Sequence, residues 1–377
     1  MVRVRPDQRV PRGDRQLIRQ HAGVRHTKSI RPSHTPEGRH SLPSEAFLPG
    51  PGDRIRDVPS ARFVQYGLGP IGIGIAELAA QQGHRLVAAV DIDPAKVGRP
   101  AAAFIPGAPP DVVISADAAA VVNAGADLVL HSTQSRLAQV LPQLLPMVDA
   151  GLAVISTCEE LAFPWHHHPV EAASLDALAR SRGVVVVGLG VNPGFVMDLL
   201  PVILSAPCRD VREITVRRVV DVGLRRLPLQ QKVGVGLTVE AFRRGIAEGR
   251  LGHVGLPQST AMIAHALGWT LTRIEESVEP VVGPDHVVRG VHQVCRGIRE
   301  NAGLMTLDLT MATGVAQPRD EIHIEATPPV RASVEGGIHG DQATYAIVVN
   351  AIPRVLAAPP GLLVATQLPV APYSRHL

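Results

Sequence analysis

Cysteine is scarce. Only Cys158, Cys208 and Cys295 occur in 377 residues, widely separated and without the paired spacing of a zinc or redox motif. That excludes a disulfide framework and a cysteine metal site, and it makes a reducing compartment, the cytoplasm, the expected location. Long apolar runs are also missing: no segment reaches the roughly 18 uninterrupted apolar residues that a membrane-spanning helix needs. The first residues lack the apolar block of a secretory signal, so neither export nor a membrane partner is expected. There is no internal repeat. Strong charge is lacking too, since the net is only +3. The basic excess lies in residues 1–60, and the remainder is mildly acidic, which argues against nucleic acid as the partner of the globular part. The head itself mixes Arg, His and Pro without an apolar period and is expected to be disordered. An upstream extension from a misplaced start codon is favoured for it over a nucleic-acid arm or an organelle-targeting segment.

What is present is apolar and regular. With 45% hydrophobic residues the chain can bury a large core, and its length suggests about two domains. From Arg62 onward, RFVQYG reads as a strand, GPIGIGIAELAAQQG as a helix and RLVAAVD as a second strand. The alternation continues through DLVLHST, RLAQVLPQLLPMVDAG, LAVIST, VEAASLDALARSRG and VVVVGLG. Apolar strands separated by helices imply an α/β fold, a Rossmann-type doubly wound parallel sheet covered on both faces. This dinucleotide-binding domain is assigned to residues 61–200. Residues 201–340 change grammar: REITVRRVVDV, LMTLDLTMATG and EIHIEATPPVRASVEGG read as strands, TVEAFRRGIAEG and PQSTAMIAHALG as helices. The expectation is an α+β substrate and dimerisation domain with an open mixed sheet. Residues 341–377 are expected to form a helix and tail that return to the first domain.

Gly67, Gly69, Pro70, Ile71 and Gly72 fall within GxGxxG between a strand and a helix, the context in which that spacing binds a dinucleotide. The glycines permit a tight turn, close approach of pyrophosphate to backbone, and close packing of helix on strand. Asp91 ends the next strand 24 residues after Gly67, where a carboxylate reaches the adenosine ribose. Its charge favours NAD over NADP, while Lys96 and Arg99 in the following loop leave NADP open. Ser132 and Thr133 follow the strand DLVLHST and are expected to border the nicotinamide half.

STCEEL raises a sharper question, because two carboxylates, Glu159 and Glu160, sit where the strand LAVIST ends. Ligands of open parallel sheets bind at that edge, and a partly buried carboxylate there can move protons or stabilise an iminium. Capping a helix start is the alternative. Asn192, Phe195 and Met197 are candidates for the substrate pocket, packing being the alternative for each. Arg225 and Arg226 are candidates to hold a substrate carboxylate, Asn350 is a further cofactor-binding candidate, and His339 is a weaker pocket candidate. His166, His167 and His168 are consecutive and cannot all face one ion from a regular element, so no metal is expected.

The stretches STCEELAFP, GLGVNPGFVMD, RRVVDVGLRRLPLQQKVGVGL, GHVGLPQS and GIHGDQATYAIVVNAIPRVLAAPPGL are long and idiosyncratic. On them, residues 62–369 resemble the 2,4-diaminopentanoate dehydrogenase and native amine dehydrogenase family, which is related to dihydrodipicolinate reductase in its nucleotide domain. The resemblance implies NAD(P)-dependent oxidative deamination of a primary amine to ketone and ammonia, or the reverse reductive amination, by a homodimer. It also implies that the glutamate assisting the reaction is Glu159, with Glu160 the less favoured choice. An imine reductase like dihydrodipicolinate reductase and a non-catalytic nicotinamide-binding regulator are the rival readings.

Overall fold

The structure is a computed structural model that describes residues 60–373 except Leu224 and Asn301. The expectation of a disordered head concerns residues that, apart from Ser60, lie outside the described ones. In chain order the first half runs β1 (Arg62–Tyr66), α1 (Pro70–Gln81), β2 (Arg85–Val90), β3 (Ile114–Ser115), α2 (Ala119–Val122), β4 (Leu128–His131), α3 (Leu137–Asp149), β5 (Ala153–Ser156), α4 (Pro169–Arg182) and β6 (Val185–Gly188). The second half runs α5 (Leu199–Leu204), β7 (Arg209–Asp221), α6 (Leu227–Lys232), α7 (Val239–Ala247), α8 (Leu256–Ala266), β8 (Arg273–Val282), β9 (Val288–Arg299), β10 (Ala302–Ala312), β11 (Arg319–Thr327) and β12 (Val330–Glu335). It closes with α9 (Gly340–Ala357) and β13 (Gly361–Leu363).

Seven strands form the first sheet in the order β13-β6-β5-β4-β1-β2-β3, and every pairing in it is parallel. Strands β4, β5 and β6 are buried along their whole length, which is why their sequence reads as continuous Val, Ile and Leu rather than as an alternation. Successive residues serve opposite faces. Phe63, Leu130, Ile155 and Val187 pack with Ile75 of α1 and Val348 and Ile352 of α9. Val64, Val129, Val154 and Val186 pack with Val140 and Leu144 of α3 and Leu175 of α4. Each such fully buried aliphatic side chain contributes about 2 kcal/mol relative to exposure. Helix α4 opens with Pro at its first position and stops at Gly183, whose φ of 71° is left-handed, the asymmetry expected of a well-punctuated helix.

Strand order reverses at β1, whose two neighbours are β2 and β4. This is the topological switch point, where open α/β sheets leave a crevice beyond the carboxyl ends of their strands. The second sheet is mixed, with order β12-β11-β7-β10-β9-β8. Only β7 and β10 pair in parallel there, the others being antiparallel. Helix α8 lies against β9 and β8 and carries Leu256 and Ile263 into the second core with Met305 and Leu307. The sequence reading did not include β8, β9 or β13. In β8 the apolar residues are interrupted by Glu275, Glu276 and Glu279, a pattern without strand periodicity, and β13 has only three residues. No helix of the described residues is long and apolar enough to cross a membrane.

Candidate active site

Beyond the carboxyl ends of the first sheet lies a cavity of about 490 Å³, within the size range of small-molecule sites. One wall is the glycine turn. Gly67 has φ +90°, and a Cβ on Gly72 would overlap the Gly67 carbonyl, so both positions demand glycine. A Cβ on Gly69 would meet nothing within 4 Å. Together with Pro70 and Ile71, this residue lines the cavity at the start of α1, where free N–H groups attract phosphate. The cradle therefore fits a dinucleotide pyrophosphate.

Ser132 and Thr133 also line the cavity, but their hydroxyls are engaged internally. Ser132 Oγ donates to the Gly67 carbonyl at 3.1 Å and accepts from Gln65 Nε2 at 2.9 Å, bracing the glycine turn. Thr133 Oγ1 donates to Gln143 Oε1 at 2.8 Å. Behind them His131 shares hydrogen bonds with Ser156 Oγ at 2.9 Å and Gln143 Oε1 at 2.8 Å. Its burial pushes the imidazole down to about 4, so it is a neutral strut. Asp91 stands beside the glycine turn, where its Oδ2 accepts from the Leu68 N–H at 2.6 Å and its Oδ1 from the Asp93 N–H at 2.8 Å. Lys96 Nζ lies 3.6 Å from the same carboxylate, and Arg99 is held over the Phe104 ring at 4.7 Å.

The adjacent glutamates part company. Both belong to a short 3-10 turn, residues 159–162, directly after β5. Glu159 lines the cavity, where its Oε1 lies 3.2 Å from Lys232 Nζ at the end of α6. The same ammonium donates to Ser135 Oγ at 3.2 Å. Glu160 points the other way and is not part of the lining. It accepts from Arg136 Nη1 at 2.8 Å and from the Leu137 N–H at 2.7 Å, and meets His168 Nε2 at 3.1 Å. Burial opposes its ionisation, but these donors outweigh burial and hold its carboxyl below the ordinary range. Glu160 thus anchors the start of α3 and is withdrawn as a candidate for the chemistry. Cys158 is buried, and burial pushes its thiol up to about 12, which leaves it an inert core group.

The remaining candidates separate as well. Asn192 lines the cavity, with its Nδ2 donating to Met197 Sδ at 3.3 Å. Met197 itself is fully buried in the second core, so it supports Asn192 rather than lining the pocket. Phe195 and Asn350 line a separate apolar cavity of about 230 Å³. Asn350 Oδ1 accepts there from Gln82 Nε2 at 3.3 Å, which corrects its placement at the cofactor. Arg225 lines the main cavity and pairs with Asp341 at 2.8 Å, and Arg226 meets the same carboxylate at 3.4 Å. His339 caps α9, its ring accepting from the Gln342 N–H. No group of three or more His, Cys, Asp or Glu suited to a metal occurs among the described residues.

Sequence reasoning missed Lys232, Arg218 and His253, all of which line the cavity, while Ser135, which also lines it, ends the loop expected from the sequence to border the nicotinamide half. Arg218 is buried against Asp320 at 2.7 Å and donates to the Ile338 carbonyl at 2.7 Å. It sits on β7 among residues that read as an ordinary strand, so no local signal marked it. Val220, Leu229, Leu309 and Met311 complete an apolar wall. With Arg218 neutralised by Asp320, Arg225, Arg226 and Lys232 against Glu159 and Asp341 leave the lining one cation in excess, which favours an anionic ligand group.

A glycine cradle at the switch point of a doubly wound sheet, with the Glu159 carboxylate in the same cavity held by Lys232 of α6, defines a nicotinamide-dependent dehydrogenase. The sequence profile of the 2,4-diaminopentanoate dehydrogenase C-terminal domain matches residues 195–374. The 2,4-diaminopentanoate dehydrogenase of Acetoanaerobium sticklandii is 32% identical over 277 residues, covering 69% of this chain and 78% of that one. The chain belongs to the 2,4-diaminopentanoate dehydrogenase family. It also shares its fold with an amine dehydrogenase from Mycobacterium smegmatis, at a TM-score of 0.74 and 24% identity over 84% of this chain and 98% of that one.

Proposed function

We propose that the chain interconverts a primary amine with a ketone and ammonia, with Glu159 as the group that moves protons. The protein is an NAD(P)-dependent amine oxidoreductase, and the finer reading concerns how its own residues act. The observation that carries it is the contact of Glu159 Oε1 with the Lys232 ammonium at 3.2 Å on the cavity wall. A primary ammonium is the group this carboxylate already holds, and the ammonium of an amine substrate has the same chemistry.

Bound nicotinamide supplies hydride acceptance or donation; the residues supply the rest. Gly67, Gly69 and Gly72 admit the pyrophosphate, and Asp91 stands at the ribose end. In the deaminating direction Glu159 takes one proton from the substrate ammonium and passes it to solvent after the hydride has left; the regenerated carboxylate then accepts a proton from the water that attacks the iminium carbon and returns it to the departing ammonia. In the aminating direction it assists ammonia addition and offsets the charge of the iminium. Val220, Leu309 and Met311 exclude bulk water, which strengthens that electrostatic term.

The domain assignment proposed is residues 61–200 for the nucleotide, 201–340 for substrate and dimerisation, and 341–377 returning to the first. The protein is proposed to act as a homodimer on small molecules in the cytoplasm; its three cysteines are free, which suits a reducing compartment. The test is NADH and NADPH consumption with a ketone panel, with and without ammonia. Oxidation that requires ammonia supports the reading. Ketone reduction independent of ammonia points to an alcohol-forming or imine-reducing enzyme, and tight NADPH binding without turnover points to a regulator.

A further inference from the structure

We infer that His253 is a specificity-determining residue, its Nε2 forming a hydrogen bond with a polar group that the substrate carries away from the reacting carbon. The inference rests on the amine–ketone reading above.

His253 lines the same cavity as Glu159. Its Nε2 is buried and has no hydrogen-bond partner among the described residues, an unusual condition for a native polar atom. The side chain is not there by accident of a loose loop. Its backbone is held at both ends by Gln293: the His253 N–H donates to Oε1 at 3.1 Å and the carbonyl accepts from Nε2 at 2.9 Å. The preceding Gly252 N–H donates to the Lys232 carbonyl at 2.9 Å, joining the loop to the residue that touches Glu159. On the other side Gly255 has φ +120°, and a Cβ there would lie 2.5 Å from the Pro193 ring and 3.4 Å from Glu159 Cβ. Only glycine lets this loop close onto the Glu159 turn.

Charge decides what the ring offers. Burial, and then the neighbouring Lys232 and Arg218 cations, push the imidazole down to about 3, so it stays neutral through the working pH range. A neutral ring offers one N–H and one acceptor nitrogen, either of which a hydroxyl can meet, and the neighbouring Lys232 and Arg218 cations favour electron-rich oxygen there. Two further polar atoms in the same lining, Asn192 Oδ1 and Arg225 Nε, are likewise buried without a partner. The cavity is therefore prepared for more polar contact than a simple alkylamine provides.

The test compares shape-matched substrates. In reductive amination, 4-hydroxybutan-2-one and pentan-2-one differ by a hydroxyl in place of a methyl, as do the amines 3-aminobutan-1-ol and pentan-2-amine. The His253→Leu variant is expected to lower kcat/KM for 4-hydroxybutan-2-one about ten- to hundredfold while leaving pentan-2-one within about threefold. His253→Gln, which keeps an amide nitrogen near the Nε2 position, is expected to recover part of that loss. An equal fall for both ketones, or for neither, overturns the inference. The thermal shift given by the two amines with NAD provides a readout that needs no turnover. A larger shift with 3-aminobutan-1-ol that disappears in His253→Leu supports His253, and equal shifts in the wild type overturn it. Absence of any ammonia-dependent turnover would count against the reaction assignment alone.

Discussion

Lys232 reaches Glu159 from the far side of the cavity, with Nζ 3.2 Å from Oε1, and the same nitrogen donates to Ser135 Oγ. One ammonium thus ties the end of α6 to two loops at the edge of the first sheet. Because Lys232 is about a third exposed, the pair adds little to stability. Its effect is on position.

Replacing Lys232 by Met is accordingly expected to lower kcat about tenfold through a less well placed Glu159, with little change in melting temperature. Steady-state kinetics at saturating cofactor checks this. A variant as fast as the wild type would remove Lys232 from any positioning role.

Glu159→Gln keeps the shape and removes the base. Turnover is expected to fall by roughly 10²- to 10⁴-fold, while NADH affinity, read by fluorescence titration, stays within about twofold because the glycine cradle is untouched. Retained turnover would assign the proton transfer elsewhere.

Glu160→Gln has the opposite profile. Three donors lose an anionic partner, including the Leu137 N–H at the start of α3, so unfolding in urea is expected to become easier by about 1–3 kcal/mol. The folded variant should keep most of its activity at low temperature. A loss of turnover without a loss of stability would restore Glu160 to the chemistry.

Gly72→Ala places a methyl group against the Gly67 carbonyl, a backbone atom that cannot step aside without opening the turn. Cofactor affinity should fall at least about tenfold. Isothermal titration with NADH tells whether it does.

His131 gives the stability a pH signature. Its folded value near 4 lies below the unfolded value of about 6.5, so on acidification the unfolded chain takes up the proton first. Stability is present above about pH 6.5 and is lost as the pH falls toward 4. Between pH 7 and pH 5 this one residue accounts for about 2 kcal/mol, and His131→Gln should flatten the urea-derived profile by that amount. An unchanged slope would show that the ring is protonated in the folded state.

How much of this was legible in the sequence depends on how local each signal is. The parallel sheet announced itself through buried Val, Ile and Leu runs such as VVVVG, and the glycine turn through its spacing, because both are properties of contiguous residues. The division of labour between Glu159 and Glu160 was not legible. It depends on Arg136 and His168 meeting one carboxylate and Lys232 the other, contacts between segments 8 to 73 residues apart. The same holds for His253, whose direction is set by Gln293 on β9, a strand the sequence reading did not include. Phe195, Met197 and Asn350 were misplaced for the converse reason: residues close to Asn192 in the chain, or three turns into α9, are turned by helix and turn geometry into a different cavity or into the core.

The first sheet is finished by a strand, β13, that pairs with β6 yet is translated only after the whole second sheet. On a ribosome the nucleotide cradle therefore waits with an open edge until α9 and β13 emerge, and the two halves cannot mature in sequence order. Cleavage after Ala358 would part β13 from α9, freeing the β6 edge and loosening the sheet whose β5 leads into the Glu159 turn.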